Sequence, residues 1–233
     1  MSGAEKIVGV IGGMGPEATV EFMRRLVAVV PAKDDADHLH VIADNNPKVP
    51  SRIKALIEGG GEDPAPVLIA MARRLEAAGA EVLAIPCNTA HYYWPQISQA
   101  VRVPVLDVVA LTTAKLAALS PRPRRIGILA SPAVRLVGLF ERRMAEAGFE
   151  TLFPGSDDEE RLLGIIRAVK AGEVKPSDWQ AYQDIAARLT DRGAEAFLVA
   201  CTELSLLLAP RLPQPMLDTL DILVDGTVAA ARG

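Results

Sequence analysis

The chain has 233 residues, half of them apolar and 23% charged, the balance of a soluble globular protein, which excludes disordered and fibrous classes. A net charge of −4 without a long block of Lys or Arg leaves no electrostatic footprint for nucleic acid or an anionic membrane, so an anionic ligand has to be met by a few placed cations. No apolar run reaches the roughly 18–20 residues of a membrane span, and Lys6 leads directly into a short strand-like run, unlike a secretory leader; a cytoplasmic location is expected.

In chain order, residues 7–11 predict a first strand, closed by Gly12-Gly13-Met14-Gly15-Pro16. A helix follows from Pro16 with Ala18, Phe22, Leu26 and Val29 on one face. Residues 39–43 read as a second strand. Asp63-Pro64 then offers an N-cap and first-turn proline for a helix carrying Val67, Leu68, Met71, Leu75 and Ala78, with Gly79 where a C-terminal glycine belongs. Residues 81–86 form the next strand and end at Cys87. Strands alternating with helices predict an α/β fold with mainly parallel sheets.

The second half repeats this grammar in its residues. At a separation of 114, Ala72, Arg74, Leu75, Gly79-Ala80-Glu81 and Cys87 recur as Ala186, Arg188, Leu189, Gly193-Ala194-Glu195 and Cys201. Val8-Gly9-Val10-Ile11 is answered by Ile126-Gly127-Ile128-Leu129, and Pro104-Val105-Leu106-Asp107 by Pro215-Met216-Leu217-Asp218. Three anchors in one order indicate a duplication, with a break at the proline-rich residues 120–124. Two pseudo-symmetric α/β domains are expected: residues 1–106 with 214–233 on the Cys87 side, and 107–213 on the Cys201 side.

Cys87 and Cys201 are the only cysteines. A reducing compartment disfavours a disulfide, and no C-x-x-C pair points to zinc or thioredoxin-like chemistry. Taken singly, each reads as a small buried hydrophobe. The duplication alters that reading, because both thiols then stand at the carboxyl end of a strand, where open α/β sheets bind ligands, and are expected to look at one another across an inter-domain cleft. A helix starting just after each cysteine would lower its pKa toward neutrality. Two acid/base groups on opposite faces of one carbon suit racemisation: a thiolate removes the α-proton while the opposing thiol returns one, without a cofactor.

The strings Gly12-Gly13-Met14-Gly15-Pro16-Glu17-Ala18-Thr19, Asp44-Asn45-Asn46-Pro47 with Arg52, Pro86-Cys87-Asn88-Thr89-Ala90-His91 and Cys201-Thr202-Glu203-Leu204 together resemble the cofactor-independent aspartate/glutamate racemase family, within it the aspartate racemase group. The resemblance runs over essentially the whole chain. It implies a pseudo-symmetric two-domain fold whose last stretch returns to the first domain, often as a homodimer, acting on a small amino acid. Cys87 and Cys201 would be the catalytic pair. Asn88, Thr89 and Thr202 would hold the substrate's α-carboxylate and amino group, Arg52 and Lys170 its carboxylates, and Met14, Ser131 and Glu203 complete the binding set; no metal is implied. Lys170 also reads as a favourable charge in the last turn of a helix with Leu162, Ile165, Ile166 and Val169. Arg52 stands beside Ser51, an expected N-cap, where a cation is unfavourable unless an anion visits. The family pattern is departed from at Ala200, where a glycine is common, and at Ser131-Pro132, where a threonine is, so homoserine, lysine or other amino acids stay open as substrates.

Rival readings exist. Gly13-x-Gly15-x-x-Ala18 matches a dinucleotide fingerprint, with Asp44 as a late acidic ribose partner, which would make the chain a nicotinamide-dependent oxidoreductase. A two-domain small-ligand binding protein also fits and needs no thiols. Asp35, Asp37, His38 and His40 could be read as a metal cluster, but the alternation favours both imidazoles on the polar face of a strand entry and the aspartates in a solvated loop. His91 reads equally as a partner of Cys87 or as part of an aromatic helix face.

Overall fold

The computed structural model describes residues 5–58, 60–207 and 212–233. The chain separates into two compact units, residues 1–108 with 220–233 and residues 109–219. The first contains β1 (Val8–Gly12), α1 (Pro16–Val29), β2 (Val41–Asn45), α2 (Arg52–Leu56), α3 (Ala65–Ala77), β3 (Val82–Ala84) and α4 (Trp94–Gln99). Helix α5 (Val108–Ala117) opens at the boundary. The second contains β4 (Arg125–Ala130), α6 (Pro132–Leu136), α7 (Glu141–Glu146), β5 (Glu150–Leu152), α8 (Ser156–Ala171), α9 (Pro176–Asp191), β6 (Ala196–Ala200) and β7 (Met216–Asp218). Helix α10 (Thr219–Arg232) rejoins the first unit, where Arg25 pairs with Asp221 at 2.8 Å and Arg232 with Glu5 at 3.1 Å. Residues 214–219, expected with the first domain, belong to the second unit because β7 pairs with β6.

All pairings are parallel, in the orders β2-β1-β3 and β5-β4-β6-β7. The central strands β1 and β6 are buried along their whole length, which their Val-, Ile- and Ala-rich sequences fit, since parallel sheets are covered on both faces. Helix α1 buries Ala18, Phe22 and Leu26. Val29, expected on that face, is exposed, because the chain turns extended at Val30, which takes the buried place. Helix α3 buries Leu68, Met71 and Leu75 as expected, while Val67 is half-buried and Ala78 is the exposed C-cap.

The repeat recurs bond for bond. Ala80 N–H donates to Leu75 O and Ala194 N–H to Leu189 O, both at 3.0 Å. Leu83 N–H donates to Pro104 O at 2.9 Å and Phe197 N–H to Pro215 O at 2.8 Å. Gly79 and Gly193 close the matching helices with φ of 100° and 91°, a left-handed conformation that a Cβ disfavours. The single bridge Leu83–Val105 in the first unit stands where β7 runs in the second. Each unit has its own core, one containing Met14, Leu68, Met71 and Cys87, the other Leu162, Ile165, Tyr182 and Cys201.

Candidate active site

In the first unit the parallel strands bring the loop after β1, the residues after β2 and the Cys87 segment to one sheet edge. The first loop is tight. Gly13 N–H donates to Thr19 Oγ1 at 2.8 Å, and Gly13, with φ of 93°, lies so close to Asn46 that a Cβ would sit 2.2 Å from its carbonyl oxygen. Met14 is buried in the same cluster as Cys87, Val49 and Tyr93. Gly13 thus serves a close approach of loop to loop. The dinucleotide reading loses its ribose partner as well, because the Asp44 carboxylate accepts from Arg74 Nη2 at 2.6 Å.

Cys87 is 6% exposed, its N–H bonded to Ile85 O at 2.8 Å. Asn88 and Thr89, the first of them buried, begin a five-residue 3-10 turn that continues to Tyr93. His91 Nε2 lies 3.2 Å from Ile85 O and pins the bend that presents the cysteine. Arg52 opens α2 behind its N-cap Ser51, as expected. Its Nη1 donates to Pro50 O at 3.0 Å and Val49 O at 3.4 Å, and its Nε is buried without a partner. Burial and then the Asp63 carboxylate raise the Tyr93 phenol, and the Arg52 charge pulls it the other way.

In the second unit Ser131 and Cys201 follow neighbouring strands, β4 and β6. Ser131 is buried at the N-cap of α6. Cys201 is 7% exposed, Thr202 and Glu203 are buried beside it, and Cys201 Sγ donates to Glu203 Oε2 at 3.1 Å. The other oxygen, Oε1, accepts from Lys170 Nζ at 2.5 Å. Lys170 does sit in the last turn of α8, over Leu162, Ile165, Ile166 and Val169, and its ammonium is engaged by Glu203. Lys170, Glu203 and Cys201 thus form one hydrogen-bonded chain.

The expected lowering of the thiol pKa does not hold at Cys201. Burial pushes this thiol well above its ordinary value, the Glu203 carboxylate pushes in the same direction, and Lys170 opposes both. No α-helix begins at either cysteine: the residues after Cys201 make only a three-residue 3-10 turn, Leu204–Leu206, too short to sum peptide dipoles. Sequence reading also passed over Ser205, whose Oγ donates to Asp218 Oδ1 at 2.6 Å. Asp218 was visible as the last residue of the repeated Pro-x-Leu-Asp string.

Elsewhere, Asp34 and Asp37 bind backbone amides of their own turn, Asp34 accepting from Asp35 N–H and Asp37 from Lys33 and Asp34 N–H. His38 and His40 precede β2. Among the described residues no three His, Cys, Asp or Glu side chains converge on a metal-binding position, and no helix is long and apolar enough to cross a membrane. A cavity of about 580 Å³ in the second unit is lined by Arg135, Arg188 and Arg192 among others. Those guanidiniums are already held by Glu159, Asp158 and the Phe153 carbonyl.

The model of the Asp/Glu/Hydantoin racemase family matches residues 11–231. The broad specificity amino-acid racemase RacX of Bacillus subtilis (strain 168) is 23% identical over 237 residues, covering 96% of this chain and 97% of that protein. The structure of the Picrophilus torridus aspartate racemase superposes with a TM-score of 0.85 at 26% identity, covering 97% of this chain and 94% of that one. A glutamate racemase from Francisella tularensis, in complex with D-glutamate, shares the fold with a TM-score of 0.70 at 15% identity, covering 97% and 81% of the two chains.

Proposed function

The chain belongs to the Asp/Glu/Hydantoin racemase family and is an amino-acid racemase, an isomerase; from that premise we propose that it interconverts L- and D-aspartate by a two-thiol, two-base mechanism. One cysteine, as thiolate, takes the α-proton, and the other, as neutral thiol, returns a proton to the opposite side of the carbon. The roles exchange for the other enantiomer, and the scheme needs no cofactor. Asn88, Thr89 and Thr202 hold the α-carboxylate and amino group, and Met14 and Ser131 line the substrate. Arg52 receives the side-chain carboxylate, for which its buried, unpartnered Nε is available.

The observation that carries this reading is the chain Lys170–Glu203–Cys201. A neutral thiol already donating to a carboxylate has both states it needs. It can give its proton to a carbanion on the substrate, leaving a thiolate. In the reverse direction Glu203 accepts the thiol proton first, and the thiolate so formed takes the α-proton. Lys170 holds the other oxygen of that carboxylate, Oε1, and so fixes Oε2 toward the sulfur.

Incubation of the purified protein with single L-amino acids in D₂O, following α-proton exchange together with loss of optical activity, tests the proposal. Aspartate should exchange and racemise, and Cys87→Ala and Cys201→Ala should each abolish interconversion. Retained racemisation in either variant sinks the two-base scheme. A broad-specificity racemase is the second reading. It is favoured by the engagement of Lys170 with Glu203, since a lysine held by the protein's own carboxylate is less available to a second substrate carboxylate, and comparable turnover of neutral or basic amino acids would decide for it.

A further inference from the structure

Tyr182 is fully buried, in the core cluster that holds Cys201, and its hydroxyl has no hydrogen-bond partner. Unsatisfied buried hydroxyls are destabilising and uncommon, so this one asks for a function. Its placement follows from the chain. Helix α9 hands over to β6 through the turn in which Ala194 N–H bonds Leu189 O. Back from that turn, seven helical residues cover about 10 Å while the run from Ala196 to Cys201 covers about 16 Å. A helical side chain leans toward the N-terminus of its helix, which carries the Tyr182 ring toward the strand end where Cys201 stands in the same core cluster. Burial, with the charges of Asp218 and Cys201, holds the phenol in its neutral, donating form.

The duplication supplies an internal comparison. At the separation of 114 that matches Cys87 to Cys201, Tyr182 is matched by Leu68, equally buried in α3 of the first unit. The cores that hold the two cysteines therefore differ at this position, an aliphatic side chain in the first unit and a hydroxyl-bearing ring in the second.

We infer that Tyr182 is a positioning residue for Cys201, its O–H donating to Sγ in the thiolate left once Cys201 has given its proton to substrate, when the adjacent Glu203 carboxylate can only accept. The groups acting on this pair are Glu203 and Lys170 at the sulfur and Asp218, itself accepting from Ser205, at the phenol. In turnover the inference rests on the reading of Cys201 as a catalytic thiol. Its chemical content does not, and it is read on the sulfur directly.

The test uses full-length Tyr182→Phe, with Tyr182→Leu as a second variant carrying the first unit's residue. Alkylation by iodoacetamide is followed across pH, with peptide mapping that separates Cys201 from Cys87, alongside thermal unfolding and the pH profile of kcat/KM. Loss of the donor should slow Cys201 alkylation near neutral pH about threefold, allowing for the greater nucleophilicity of a more basic thiolate, and leave Cys87 unchanged. Tyr182→Phe should unfold at the same or a higher temperature, and the acid limb of kcat/KM should move to higher pH. Unchanged Cys201 alkylation with an unmoved pH profile overturns the inference and leaves the hydroxyl a packing feature; an equal change at Cys87 overturns it too. Racemisation persisting in Cys201→Ala would instead remove the catalytic reading while the alkylation result stands.

Discussion

Replacing Glu203 by Gln keeps the size of the side chain and removes the like charge beside the Cys201 sulfur. With Sγ and Oε2 3.1 Å apart, two unit charges at an effective dielectric of 20 repel by roughly 5 kcal/mol. That figure is a ceiling, because the Lys170 ammonium on the other carboxylate oxygen neutralises part of it. Like charges in contact shift a thiol–thiolate balance by about 10- to 1000-fold. A less basic thiolate is also a weaker nucleophile, with a Brønsted coefficient of about 0.4–0.5, so the net gain in alkylation rate comes to about 3- to 30-fold. In Glu203→Gln, therefore, Cys201 should react faster with iodoacetamide at pH 7, by that margin, while Cys87 on the same protein keeps its rate. Racemisation should fall at the same time, because the proton acceptor for Cys201 has gone. An alkylation rate at Cys201 that is unchanged or slower would refute the assignment of the raised thiol pKa to Glu203.

Arg52→Gln should raise KM for aspartate by about 10- to 100-fold, the worth of one charge-assisted hydrogen bond, and change KM for alanine little; equal effects on both amino acids would remove Arg52 from side-chain recognition. Gly13→Ala forces a Cβ to 2.2 Å from the Asn46 carbonyl at φ of 93° and should cost about 2 kcal/mol or more in denaturant unfolding, whereas Gly60→Ala, with nothing within 4 Å, should be close to neutral. Glu21 is held down to about 2 by its hydrogen bond to Arg24 and, after that, by Arg25. Its folded pKa being lowered, its stabilisation is present above the ordinary value near 4.5 and is lost as pH falls through about 2. The melting temperature should thus drop less between pH 4.5 and 2 in Glu21→Gln than in the parent protein.

Much of the fold was legible because it depends on local pattern. Short Val- and Ile-rich runs separated by segments of helical period define strands and covering helices wherever they fall. The repeat at 114 residues then carries the same strand-end position to both cysteines. Capping signals were equally local: Ser51 accepts from Lys54 N–H as the expected N-cap, whereas Asp63 stands one residue before the N-cap Pro64 and still accepts from Ala65 N–H. Boundaries decided by pairing were harder to read. Residues 216–218 resemble a run that makes only one bridge in the first unit, and nothing in those three residues says that in the second they form a full strand on β6.

The candidate site divides along the same line. Sequence alone marked the candidate residues and put the two thiols in equivalent places of the repeat, because identity and spacing survive duplication. Tertiary structure decided their electrostatics. A thiol's pKa depends on the groups within a few ångströms and on exclusion of water, and at Cys201 those are Glu203, two residues away, Lys170, from a helix 31 residues earlier, and a core that includes Tyr182. The sequence places a helix after each cysteine and expects an acidic thiol; the packed core, a three-residue turn and a carboxylate 3.1 Å away make Cys201 a reluctant one.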